Sequence, residues 1–189
     1  MRYQDSMQRL SHYRRQMGEL RQKMQELQRS VEPEEVGDYE FAVPGGTVTL
    51  SQLFGDKEHL FVVHNMGAGC PYCTLWADGF NGVLPHLENR AAFVIASPDS
   101  PETQEKFKAS RGWRFRMVSH QGTDFAADMG YRSEKGWQPG VSVFAKRQGK
   151  IFRVSDTGFG PGDDFCADWQ YYGLMPAGSG GWQPRFNYH

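Results

Sequence analysis

Cysteine is scarce in this sequence: three residues in 189, at positions 70, 73 and 166. Three is too few, and odd, for the disulfide framework of a small secreted domain. Charge of one sign is also lacking. Twenty-one Lys and Arg stand against 22 Asp and Glu, a formal net charge of −1. Composition therefore gives no global pull toward nucleic acid or anionic lipid. No apolar run approaches the ~18 residues of a membrane span. The first residues, MRYQDSMQRL, lack the apolar stretch of a signal peptide. Together these absences predict a cytoplasmic protein, with neither nucleic acid nor membrane among its partners. There is no dinucleotide fingerprint, no serine nucleophile elbow and no metalloprotease HExxH. The segments GPGDDF and PAGSGGW are turn-rich, without the strand–loop–helix setting or the lysine of a phosphate-binding loop.

What is present falls into three parts. Residues 2 to 31 read as one helix, with Tyr3, Leu10, Met17, Met24 and Val31 seven apart and Tyr13, Leu20 and Leu27 between them. Such a stripe needs a partner, either its own domain or a second copy, and we expect a homodimer through this helix. A Pro-containing acidic linker, VEPEEVGDYEF, follows. From there YEFAVPGGTVTLSQLFG reads as strand, turn, strand and brief helix. HLFVVHNM and AAFVIAS read as buried strands, with a helix from about Cys70 to Leu87 between them. Another helix begins at Pro101 and runs to about Arg111. FRMVS, TDFAADMGY and GVSVFAKRQGKIFRV read as strand, short helix and hairpin. This order predicts an α/β sandwich with helices on both faces of the sheet. Gly and Pro are dense after residue 155, which predicts an irregular segment laid over the core. The expected divisions are an N-terminal helix and linker at 1–37, a domain at 38–176 and a tail at 177–189.

The stretch HNMGAGCPYCTLWADGF carries the chemistry. An apolar strand ends near Met66, a glycine bend follows, and Cys70 falls near a helix N-terminus. Exposed amides and the positive end of the helix dipole stabilise a thiolate there. Cys73, one turn later, is placed to close a disulfide. Pro71 fits the first turn, where its missing N–H would be unpaired. Cys70 is the expected attacking thiol and Cys73 the resolving one, so a redox-active Cys70–Cys73 disulfide takes the place of any bound cofactor. A structural zinc site takes four ligands, often as two such pairs. The second pair is absent, and Cys166 with His64 or His86 would have to be supplied by the fold, so no metal is expected. Asp78 is either a proton acceptor for the resolving thiol or a surface carboxylate. Trp76 is either core or a substrate platform. His64 is a core histidine or a group that tunes the thiol. His86 has no expected chemistry, and His120 reads as a turn residue. Cys166 reads as a lone buried thiol, with a redox role only if it lies near Cys70.

Strand, CxxC, helix, strand, helix and hairpin resemble a thioredoxin-like fold, and the short strand and helix before the hairpin resemble its peroxiredoxin-type branch. More closely, DYEF, GTVTLSQLFG, GCPYCTLWADGFNGVLPHL, RGWRFRMVS, GTDFAADMG and GVSVFAKRQGKIF resemble the bacterial family called domain of unknown function 899. Its members are often described as predicted dithiol-disulfide oxidoreductases. The likeness extends over nearly the whole chain. It implies a three-layer thioredoxin-like sandwich with a mixed central sheet, and an oxidoreductase acting on a protein or low-molecular-weight thiol or disulfide. The tetrapeptide Cys70-Pro71-Tyr72-Cys73 is also identical to the glutaredoxin motif, in which Tyr72 lies between the thiols. The other glutaredoxin elements have only loose counterparts, at Gln138-Pro139-Gly140 and Gly162-Asp163-Asp164. Peroxiredoxins place a Thr three residues before their peroxidatic Cys, and Gly67 stands there. Thioredoxins place a cis-proline before the hairpin, for which Pro139 is the candidate. The alternative reading is a non-catalytic dimeric binding or scaffold module whose thiols are structural or metal-holding.

Overall fold

The computed structural model describes residues 2–188. It divides at Pro33 into two units. The first is α1, Tyr3–Ser30, a single helix with no buried residue. Its whole stripe, from Tyr3 through Leu20 to Val31, is exposed.

The second unit begins at Glu34, earlier than the linker reading placed it. Glu34–Val36 (β1) pairs with the hairpin as an edge strand, so these acidic residues belong to the sheet and not to a linker. β2 (Glu40–Val43), β3 (Gly46–Thr49) and α2 (Leu50–Leu53) follow. Thr49 and Gln52 form a reciprocal capping box that starts α2. β4 (His59–His64), α3 (Pro71–Arg90), β5 (Ala92–Ser97), α4 (Pro101–Arg111) and β6 (Arg116–Ser119) form the parallel centre. α5 (Phe125–Asp128), a two-residue ribbon of β7 (Arg132–Ser133) and β8 (Gly136–Trp137), the long hairpin β9 (Gly140–Arg147) and β10 (Lys150–Gly158), and α6 (Ala167–Tyr172) complete it. The ribbon and α6 are regular elements that local sequence pattern does not predict, the latter inside the C-terminal segment expected to be irregular.

The main sheet is mixed, in the order β1-β10-β9-β4-β5-β6-β2-β3. Strand alternation divides the core into two faces. Leu60, Val62, Val94 and Val118 join Phe41, Phe54, Phe125 and Phe144 under α2 and α5. Val63, Phe93, Ile95 and Met117 join Trp76, Phe80 and Leu84 of α3, with Trp113, Cys166 and Trp169. Truncating one of the fully buried phenylalanines to Ala costs about 3–5 kcal/mol. α3 carries Pro85 in its interior. Proline donates no N–H, which frees the Asn81 carbonyl four residues earlier. Arg114 donates to that oxygen at 2.8 Å.

Candidate active site: the Cys70–Cys73 dithiol

The bend after β4 is built from backbone amides and two acceptor side chains. Asn65 N–H donates to the Ala96 carbonyl at 2.9 Å, extending the β4–β5 pairing by one residue. The Asn65 Oδ1 then accepts from Gly67 N–H at 2.8 Å. Gly67 has φ +104°, and a Cβ there would lie 3.0 Å from both Asp99 carboxylate oxygens. Only glycine meets both conditions. Asp99 Oδ2 accepts from Ala68 N–H at 2.8 Å. Asn65 and Asp99 were missed in the sequence. The available signal was topological: β4 and β5 are parallel neighbours, so the loop after β5 lies beside the loop after β4.

The bend delivers Cys70 to the N-cap of α3. Its backbone is extended, and its Sγ accepts from Cys73 N–H at 3.1 Å. The thiol thus does what a Ser or Asp side chain does at other helix starts. Cys70 is half-buried, while Cys73 is 3 % exposed. Cys73 Sγ accepts from Met66 N–H at 3.4 Å. The two sulfurs therefore differ in environment. Hydrogen bonding from the Cys73 side chain, helped by the Cys73 and Tyr72 amides, brings the Cys70 thiol down to about 7 against its burial. Cys73 is pushed far up by its hydrogen bond to Cys70, by burial and by the negative charge of Cys70. One thiol ionises near neutrality and is reachable; the other is a buried proton carrier.

The remaining site candidates separate. Pro71 opens α3, and the Tyr72 ring stacks on Trp169 of α6 at 6.3 Å. Trp76 is buried, and its Nε1 donates to Asp163 at 3.3 Å. It is a core residue beneath Tyr72. Asp78 is committed elsewhere: it pairs with Arg111 and accepts from Trp113 Nε1 at 2.7 Å. That leaves it a structural carboxylate rather than the base for Cys73. No peptide bond among the described residues is cis, so Pro139 is trans. Its carbonyl accepts from Phe159 N–H at 2.9 Å. Gly140 follows because Tyr131 lies against its backbone; a Cβ there would overlap that ring and come within 2.5 Å of the Thr157 carbonyl.

His64 lies on the opposite face of the sheet from Cys73, with Nε2 2.9 Å from Ser142 Oγ and its ring stacked 3.8 Å from Tyr131. Burial first, then the charges of His120 and Arg153, lower it to about 3. His120 is a turn residue as expected, but a buried one, with its ring 4.9 Å from Trp137. Burial lowers it to about 4. His86 is exposed. Among the described residues no three His, Cys, Asp or Glu converge as a metal-holding group. No helix among them is long and apolar enough to cross a membrane.

The family described as "Bacterial protein of unknown function (DUF899)" matches residues 1–186. The chain belongs to that family. No curated protein matches it. Among solved structures, peroxiredoxin Q of Xanthomonas campestris is 20 % identical, with a TM-score of 0.54, over 64 % of this chain and 79 % of that one. PrxQ of Xylella fastidiosa is 17 % identical, with a TM-score of 0.58, over 67 % and 84 %. The peroxidoxin BcpB of Mycobacterium tuberculosis is 26 % identical, with a TM-score of 0.54, again over 67 % and 84 %. This DUF899 protein therefore has the thioredoxin-like α/β fold of the peroxiredoxin branch.

Proposed function

We propose that this protein is a thiol-disulfide oxidoreductase working through Cys70 and Cys73. One observation carries the reading: Cys70 Sγ caps α3 by accepting from Cys73 N–H, half-exposed, while Cys73 is buried one turn below. The Cys70 thiolate attacks one sulfur of a substrate disulfide. A Cys70–substrate bond forms and the other substrate sulfur leaves as a thiolate. Cys73 then gives up its proton and attacks Cys70 Sγ. The Cys70–Cys73 disulfide forms and the second substrate thiolate departs, so the substrate gains the two electrons that the protein loses. The reverse sequence oxidises a dithiol. No bound cofactor takes part. The substrate class is a protein or low-molecular-weight disulfide.

The likeness to peroxiredoxins favours a second reading, reduction of a peroxide. Against it, the position of their threonine is Gly67, where φ +104° and the Asp99 carboxylate leave no room for a side chain. The scaffold alternative with metal-holding thiols has no third ligand to draw on among the described residues.

The test is thiol labelling across a dithiol redox series. A reversible two-electron transition between about −120 and −270 mV is expected. Cys70→Ser should abolish turnover of a disulfide substrate, and Cys73→Ser should trap the mixed disulfide. Peroxide consumption that outpaces disulfide exchange would shift the reading to a peroxidase. Absence of any reversible pair would leave the scaffold reading.

A further inference from the structure

The arm α1 and one surface of the second unit are opposite in charge, and both expose apolar side chains. Residues 1–33 carry seven Lys and Arg against four Asp and Glu; residues 34–189 carry 14 against 18. The arm's stripe is exposed throughout, with Tyr13 at 51 %, Leu20 at 59 % and Leu27 at 69 %. Its two flanks hold Arg14 and Arg21 on one side and Arg9 and Lys23 on the other, with no acid on either. The acids Asp5, Glu19 and Glu26 share one heptad position on the outer face instead, with His12 at the position between the first two.

That flank pattern argues against pairing of the arm with itself. In a parallel pair, Arg9 of one helix faces Arg14 of the other. In an antiparallel pair each flank faces its own copy, which again sets base against base. Oppositely charged flanks normally specify such pairs, and like charges facing each other are destabilising.

The complementary surface lies at the start of the C-terminal segment. Residues 154–184 contain four Asp and no Lys or Arg. They also expose Phe165, Tyr171, Leu174 and Met175, with Leu174 at 73 %. Leu174 N–H donates to the Tyr171 carbonyl and Met175 N–H to the Tyr172 carbonyl, both at 3.0 Å. Tyr171, Leu174 and Met175 therefore ride on consecutive turns of one segment, and Asp163, Asp164 and Asp168 precede them in the chain.

We propose that the protein is a dimer by arm exchange: α1 of each copy lays its apolar, base-flanked stripe on the acidic, apolar 163–175 surface of the other. The occupant of that surface is the arm of a second copy, which brings the opposite charge and an exposed apolar stripe; a chain docking its own arm stays monomeric, the outcome that overturns the proposal. A helix of 28 residues is about 42 Å long. A stable interface buries about 1,600 Å² in total, so each of the two reciprocal contacts has to supply roughly 800 Å².

The test uses the full chain and sedimentation velocity from about 1 to 100 μM. Wild type is expected to be a dimer, weakened by raising salt from about 0.1 to 1 M as the Debye length falls from ~10 to ~3 Å. Leu20→Asp in the arm and Leu174→Asp in the surface should each weaken it tenfold or more. Both sites are exposed, so neither change removes a buried contact. Mixing the two variants should restore a heterodimer, because the arm of Leu174→Asp and the surface of Leu20→Asp are both intact. A monomer at every concentration overturns the proposal, and binding of that monomer to phosphatidylglycerol vesicles would make the arm a membrane anchor. A dimer that survives Leu174→Asp also overturns it, in favour of arm-to-arm pairing.

Discussion

Cys70 and Cys166 stand at equivalent points of two helices. Each is an N-cap residue with extended backbone, at φ −103° and ψ 107° for Cys70 and φ −128° and ψ 116° for Cys166. Their chemistry is opposite. Cys70 Sγ faces an amide N–H and a second thiol, and its pKa falls to about 7. Cys166 Sγ caps nothing: it is buried and donates to the Asp168 carboxylate at 3.2 Å. Burial first, and that hydrogen bond next, push it up to about 12. A helix N-terminus therefore does not by itself activate a thiol. What decides is the group that meets the sulfur and whether water reaches it.

The contrast is open to attack, and the largest effect is in native alkylation. At pH 7 about half of Cys70 is thiolate, against roughly one part in 10⁵ of Cys166. Weaker-base thiolates are intrinsically poorer nucleophiles, which returns part of that gap. Iodoacetamide labelling read by mass spectrometry should still favour Cys70 by roughly a hundredfold or more. Its rate should rise with pH through a midpoint near 7. Equal rates would break the comparison.

Burial acts on titratable groups of both signs, so the histidines test the same cause from the other side. His64 at about 3 and His120 at about 4 stay neutral in the fold, while an unfolded chain protonates them near 6.5. Between those values the unfolded state binds more protons. Stability then falls as pH drops from 6.5 toward 4, by up to about 1.4 kcal/mol per pH unit for each histidine. Urea midpoints at pH 7 and 5 measure this, and His120→Asn should make the dependence shallower. A midpoint independent of pH would remove burial as the explanation.

Asp99→Ala should act on the Cys70–Cys73 pair and not on Cys166. It removes the acceptor for Ala68 N–H and frees the bend that brings Met66 N–H to Cys73. A charge-assisted bond of this kind contributes roughly 1.5–3 kcal/mol when buried, and less at this half-exposed position. We expect a several-fold change in Cys70 labelling, none at Cys166, and partial rescue in Asp99→Asn. The smallest effect belongs to Asp168→Asn. Losing the carboxylate should raise Cys166 labelling by less than about tenfold, because burial remains the main cause. A jump to the Cys70 rate would mean that charge, and not burial, silences this thiol.

Much of the scaffold was legible because local chemistry and long-range packing agree there. The apolar runs HLFVVH and AAFVIAS are buried parallel strands, Pro101 opens α4 as expected, and the turn at Gln148-Gly149 joins the hairpin. The placing of Cys70 and Cys73 at the start of a helix was legible because strand, glycine bend and CxxC are contiguous. Asp78 was not readable in the same way. Its environment comes from Arg111 and Trp113, more than 30 residues further along the chain. Pro139 was placed correctly before the hairpin, but its trans bond and the tight contact of Gly140 with Tyr131 depend on the neighbouring strand and ribbon.

The sequence by itself determined the order of the central strands and helices, the CPYC at a helix start and the charge of the arm, because propensity, periodicity and composition are local. Tertiary structure alone decided how deeply Cys73 is buried, which carboxylate braces the bend and which side of the sheet His64 occupies. Burial and hydrogen-bond partners are set by residues far apart in the chain, and they fix whether a given Cys, Asp or His can carry charge.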